Sequence, residues 1–169
     1  GARFEVEVVP GEPTETGADR VTILLGANPG EPALPLAKVA SGGELSRAML
    51  ALRVVLTERS GPVAGPLLVF DEVDAGIGGE AGAAVGRELA GLGAKTQVLC
   101  ITHLAQVAAC ATDQVVVRKS EQAGRTVALA TPVAGEDRIA ELSRMLAGAG
   151  GSDHARRHAE ELLTQRGSS

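Results

Sequence analysis

Apolar and charged residues alternate from Phe4 to Val9, with Phe4, Val6 and Val8 set against Glu5 and Glu7. That two-residue period is the mark of a half-buried strand. Pro10 to Asp19 is a turn-rich loop and Val21 to Leu25 a second short strand, so the chain is expected to open with a small antiparallel β-hairpin. Gly26 to Pro35, with three prolines and two glycines, reads as a loop. The period then changes. Leu45, Met49, Leu52 and Leu56 recur at helical spacing within Leu45 to Arg59, and Ser60-Gly61-Pro62 stops that helix. Pro66 to Phe70 is wholly apolar, as in a strand buried on both faces of a parallel sheet. A small-residue helix follows over Ala81 to Leu92, an apolar strand over Thr96 to Ile101, and a short helix over Leu104 to Ala111. Val115 to Val117 and Thr126 to Leu129 are strands joined by a polar turn. Asp137 to Leu146 is a helix with Ile139, Leu142, Met145 and Leu146 on one face, and Ser152-Asp153 caps a last helix from His154 to Gln165. Strand and helix in alternation predict an α/β fold with a mainly parallel sheet flanked by helices.

The length of 169 residues fits one domain or one large piece of one. Its expected parts are a hairpin and loop over 1–35, a glycine loop and helix over 36–60, an α/β core over 61–131 and C-terminal helices over 132–169. Composition narrows the function classes. A hydrophobic fraction of 44% with only 1% aromatic residues gives a core of Ala, Val and Leu. A net charge of −5 and the lack of a Lys/Arg block argue against a surface devoted to nucleic acid. Cys100 and Cys110 have no metal-ligand spacing and are expected to be free thiols in a reducing compartment. No apolar run reaches membrane-spanning length and no signal peptide is visible, so the expected location is cytoplasmic, with no membrane partner. The start, Gly1-Ala2-Arg3, lacks an initiator Met, as expected of a fragment or a processed chain.

Chemistry is concentrated at three places. Ser41, Gly42, Gly43 and Glu44 open a helix, where exposed amides and glycines suit either a phosphate group or an ordinary N-cap. Asp71 follows an apolar strand directly, a position for a carboxylate holding Mg²⁺ beside phosphates or for a simple cap. Glu72 beside it could orient or deprotonate an attacking water. Asp74 lies in the loop beyond, to cap the next helix or to cross an interface. His103 ends the next apolar strand, either as a phosphate sensor or as a satisfied strand-end imidazole. These positions stand at the strand ends where open α/β sheets bind ligands.

In that order the motifs resemble ATP-binding-cassette ATPases. Lys38-Val-Ala-Ser-Gly-Gly-Glu-Leu-Ser-Arg47 looks like their signature motif, Leu67-Leu-Val-Phe-Asp-Glu72 like their Walker B strand, Val73 to Gly78 like the D-loop and Thr102-His103 like the switch histidine. Glu44 replaces the Gln usual in transporters, so the wording is similar to the chromosome-maintenance (SMC-like) and DNA-repair branch. Ala27-Asn-Pro-Gly-Glu31, Phe70 to Gly78 and Cys100 to Ala109 carry the closer match within it. No phosphate loop is present: in Gly91-Leu-Gly-Ala-Lys-Thr96, Ala94 replaces the needed glycine and helix precedes strand. The resemblance therefore implies the C-terminal lobe of a P-loop NTPase head, whose Walker A motif sits in an N-terminal lobe beyond a coiled coil. It implies ATP and Mg²⁺ as cofactors, Asp71 as the metal-side carboxylate, Glu72 as general base and His103 as γ-phosphate switch. Ser41, Gly42, Gly43 and Glu44 would act on ATP held by a second head in a homodimer. Asp74 would be the interface aspartate, and Arg47 would hold the signature loop or touch the ligand. The expected function is an ATPase half-site for double-strand break repair, inactive alone and reaching DNA through the full-length protein. The alternatives are a transporter ATPase subunit and a non-catalytic dimerisation module.

Overall fold

The computed structural model describes residues 3–26, 30, 32–38, 42–60, 67–122, 124–148 and 152–166. Strands β1 (Arg3–Thr14) and β2 (Gly17–Gly26) form an antiparallel hairpin, in register from Arg3 opposite Gly26 to Pro10 opposite Asp19. The hairpin runs well into the stretch expected to be loop. Pro10 and Pro13 are tolerated because β1 is an edge strand, where no ladder donor is needed on the open side, and the register shifts between Pro10 and Thr14. A two-residue strand, β3 (Leu34–Pro35), pairs with β2, and a 3-10 turn follows over Leu36–Lys38.

Helix α1 (Gly42–Ser60) leads to β4 (Leu68–Phe70), α2 (Gly79–Gly93) and β5 (Val98–Cys100), which is one βαβ crossover. Here β4 and β5 pair in parallel, Leu68 opposite Val98 and Phe70 opposite Cys100. After α3 (Ala105–Cys110), β6 (Gln114–Gln122) and β7 (Arg125–Val133) form a second antiparallel hairpin. Helices α4 (Gly135–Ala147) and α5 (Asp153–Arg166) close the chain. The expectation of a mainly parallel sheet is therefore corrected: among the described residues β4–β5 is the one parallel pair, and the other two sheets are antiparallel. The reason lies in the connections. Parallel pairing needs a long crossover, which α2 supplies between β4 and β5, whereas tight turns join β1 to β2 and β6 to β7.

Two apolar clusters hold these elements. Leu50, Phe70, Val73, Leu89, Leu92 and Val107 form the first, between α1, the β4–β5 pair, α2 and α3. Ala105, Ala108, Ala109, Leu142 and Ala159 form the second, joined by Ile139, Met145 and Leu146, the face expected of α4. Small residues let α2 and α3 approach closely: a Cβ on Gly86 would lie 2.8 Å from Cys110 Sγ and 3.1 Å from the Gln106 carbonyl. Arg138, which the sequence reading did not single out, is buried and donates to the carbonyls of Ala108, Ala111 and Thr112 at 2.7 to 3.1 Å. It thereby satisfies acceptors that the end of α3 would leave bare. Ser152 Oγ accepts the Ala155 N–H at 3.2 Å, the N-cap expected there.

Two expectations about burial are also corrected. The strand read as covered on both faces alternates instead: Phe70 is buried, while Leu67 and Val69 are 48% and 56% exposed, and Leu99 and Ile101 of the β5 region are 50% and 54% exposed. On α1 the buried residue is Leu50, with Val54 packed beside it, and Leu45, Met49 and Leu56 lie outward. That helix is apolar on nearly every side, so its periodicity does not choose a face.

The α2–α3 contact predicts opposite signs for one substitution at two sites. Gly86→Ala should lower unfolding stability by roughly 1–3 kcal/mol through overpacking. Gly91→Ala, in the same helix with nothing within 4 Å of its added Cβ, should raise it by up to about 1 kcal/mol. Urea denaturation of both variants checks the pair.

Candidate functional site

The carboxyl ends of β4 and β5 lie side by side because Phe70 and Cys100 are paired and Ile101 N donates to the Phe70 carbonyl at 2.9 Å. Each strand there passes into a tight turn. After β4, Asp71 Oδ1 accepts the Glu72 N–H at 2.9 Å and the Glu72 carbonyl accepts the Ala75 N–H at 3.0 Å. Glu72 has φ of 58°, the only described residue other than glycine with positive φ. This costs backbone energy that the surrounding bonds must hold, a pattern concentrated at functional sites. Asp71 and Glu72 are both exposed.

The start of α1 packs onto this turn. Ser46 Oγ donates to the Asp71 carbonyl at 2.8 Å, and Arg47 Nη1 donates to the carbonyls of Val73 and Ala75 at 3.3 and 2.8 Å. Arg47 thus holds the turn after β4, whereas the sequence reading had it hold the signature loop or touch the ligand. A Cβ on Gly43 would sit 2.7 Å from the Ala75 carbonyl, and one on Gly42 would collide with the Glu72 carboxylate. Both glycines are thus set by close approach. Glu44 is half-buried in the first turn. Ser41 falls outside the described residues.

Asp74 was expected at an interface, yet its carboxylate is inside the chain, at 2% exposure. Its Oδ2 accepts the Thr102 hydroxyl at 2.5 Å and the His103 N–H at 2.9 Å, and lies 3.1 Å from His103 Nδ1. Burial acts to raise the Asp74 pKa, but the bonds from Thr102 and His103 and the nearby imidazole together hold it below the usual carboxylate range. The imidazole itself is largely exposed. Thr102 was quoted beside His103 in the sequence but given no role of its own; here it donates to the buried carboxylate. Its signal was present, a hydroxyl between a strand end and a helix start, but a partner 28 residues away is not visible from spacing.

Asp71, Glu72, Thr102 and His103 thus meet at one edge, with Gly42 and Gly43 against the turn that carries the first two. Among the described residues no group of three or more His, Cys, Asp or Glu gathers to hold a metal. The single exposed carboxylate of Asp71 is nonetheless the donor set that suits Mg²⁺, which binds through one or two carboxylates, phosphates and water rather than a protein cage. No helix among the described residues is long and apolar enough to cross a membrane.

The fold is similar to that of a solved structure of low sequence identity. That structure, described as "Structural biochemistry of ATP-driven dimerization and DNA stimulated activation of SMC ATPases", superposes with a TM-score of 0.52 at 19% identity, over 87% of this chain and 84% of its own. No family model matches the chain. The relatives by sequence are more specific. DNA repair protein RecN of Streptomyces coelicolor is 53% identical over 88% of this chain, that of Vibrio cholerae 46% over 96%, and that of Bacillus subtilis 42% over 95%. Over the segment it spans, the chain is similar to DNA repair protein RecN. That segment is about a quarter of the length of these relatives, from 25% to 29%.

The acidic turn also sets the chemistry of a neighbour. Burial, with the Asp74 and Asp71 charges adding, pushes the Cys100 thiol up to about 11. Since the thiolate is the reacting form, alkylation of Cys100 at pH 8 should run about a hundredfold slower than that of a model thiol. Mass-spectrometric time courses of iodoacetamide labelling measure this, and a model-like rate at Cys100 would refute it.

Proposed function

We propose that this chain is the C-terminal lobe of an SMC-like ATPase head in a DNA repair protein, completed by an N-terminal lobe that carries the Walker A motif. The observation that carries this reading is the meeting of Asp71–Glu72 and Thr102–His103 at the ends of two parallel strands, with the glycine start of α1 resting on the turn between them. Exposed apolar side chains support the missing lobe. Leu67, Val69, Leu99 and Ile101 lie along the open face of β4 and β5, and Met49, Val55 and Leu56 along the open side of α1. A patch of this kind marks a surface that is covered in the complete molecule, and the chain accounts for only a quarter of its relatives' length.

In the complete head Asp71 would hold Mg²⁺, which would supply charge stabilisation to the phosphates of ATP. Glu72 accepts a proton from the water whose oxygen attacks the γ-phosphorus, and the bond to the β–γ bridging oxygen breaks to release ADP. His103 meets the γ-phosphate from the neighbouring strand end. Ser41, Gly42, Gly43 and Glu44 present the amino end of α1 to ATP bound on a second head, a geometry that favours an anion. ATP then acts as the joint of a homodimer. The Glu72 carboxylate lies close to Gly42, so the loop facing one nucleotide and the base facing the other are neighbours. DNA is reached through the full-length protein, and its acidic C-terminal lobe acts in the cytoplasm on the nucleoid without contacting a membrane.

The 169-residue chain alone should be silent in ATP hydrolysis, and the full-length protein active with Mg²⁺. Glu72→Gln in the full-length protein should keep ATP binding and lower kcat by about 10²–10⁴-fold. Undiminished turnover in that variant would remove Glu72 from the base role. A full-length wild-type protein without ATPase activity would leave the chain as a docking module.

A further inference from the structure

The Asp74 cluster is more than a tether between two turns. A buried carboxylate is stable only when paired and hydrogen-bonded, and this one collects its partners on a single oxygen. Thr102 donates its one hydroxyl proton to Asp74 Oδ2, because Thr102 Oγ1 itself accepts the Leu104 N–H at 3.0 Å. The His103 N–H donates to the same oxygen. Backbone and hydroxyl therefore fix where the carboxylate sits before the imidazole is considered. The ring then places Nδ1 at 3.1 Å from Oδ2, while its side chain is 70% exposed. The contact is a close charge pairing without hydrogen-bond alignment, and beside an ionised carboxylate, which offers only lone pairs, a proton on Nδ1 is favoured over a lone pair there.

We propose that Asp74 is a positioning residue that, braced by Thr102, holds His103 as its Nδ1–H tautomer and leaves Nε2 as the nitrogen presented at the site edge. A lone exposed imidazole would turn freely and distribute its proton between both nitrogens. Held this way, the ring offers one atom in one direction. Nε2 accepts from a protonated phosphate oxygen, or, after taking a proton from solvent, donates to an ionised one with its charge balanced by Asp74. The role of a buried carboxylate in fixing a catalytic imidazole is the one it plays in hydrolase triads. The catalytic consequence rests on the ATPase reading given above, whereas the tautomer does not.

The tautomer is read directly from long-range ¹H–¹⁵N correlation spectra of the imidazoles in the labelled chain at neutral pH, with His103→Gln assigning the signals against His154 and His158. The expected result is an Nδ1–H pattern for His103 in the wild type that shifts toward Nε2–H in Asp74→Asn. An Nε2–H ring in the wild type overturns the proposal, whatever the variant does. In the full-length protein Asp74→Asn should lower kcat at least about tenfold with KM for ATP changed less than about threefold, and should cost nothing further in a His103→Ala background. Losses that multiply would show that Asp74 acts apart from His103 and would overturn the positioning role. Should Glu72→Gln turn over normally, the ATPase reading falls, and the spectra alone still decide the tautomer.

Discussion

Everything at this site hangs on the parallel pairing of two three-residue strands, β4 and β5. Their register brings the residues after Phe70 and those after Cys100 to one edge. A slip of one residue would exchange the faces of a strand and send Phe70 out of the core. Three residues of ladder are too few to hold that register unaided. The constraint comes from both sides of the pair. Below, Phe70 and Val73 pack with Leu89, Leu92 and Val107 of α2 and α3. Above, Asp74 reaches from the β4 turn to Thr102 and His103 at the end of β5. A buried carboxylate that has lost these donors would carry an uncompensated desolvation cost, so the turn and the strand end are held together by these bonds, beside which the imidazole lies.

How much of this the sequence disclosed depends on how local each cause is. The order of strands and helices, the Ser152 cap and the apolar face of α4 were legible because period and capping act over a few residues. The extent of the first hairpin was not, since Pro10 and Pro13 count as breakers until β1 is known to be an edge strand. Nor was the buried face of α1, whose apolar residues surround the helix and leave the choice to its neighbours. The motifs at 41–47, 71–78 and 102–103 were readable as a set, but the inward turn of Asp74 and the capping of α3 by Arg138 rest on partners 26 to 30 residues away. Spacing along a chain does not encode such pairs.

The misreading of the strand as doubly buried is informative in itself. The run Pro66 to Phe70 has the composition of a strand covered on both sides, yet its side chains alternate between core and open surface. The same holds for α1, which buries Leu50 and leaves Leu45, Met49, Val55 and Leu56 exposed. Two neighbouring elements of the sequence thus carry more apolar surface than this segment buries. That excess agrees with relatives more than three times as long, of which the chain covers 25% to 29%.

The bonds around the β4 turn also constrain how such a head can work. Ser46 and Arg47 tie α1 to the carbonyls of Asp71, Val73 and Ala75, Gly42 lies against Glu72, and Asp74 ties the same turn to His103. Five residues, 71 to 75, therefore touch every element proposed to face nucleotide. The amino end of α1 meets this turn at Gly43, where an added Cβ would lie 2.7 Å from the Ala75 carbonyl, beside a Glu72 backbone at φ of 58°. Closely packed contacts of this kind move between discrete arrangements rather than bending gradually. Engagement of the α1 loop by a second nucleotide would then reset Glu72 and His103 together, which links the docking of two heads to the readiness of each to hydrolyse.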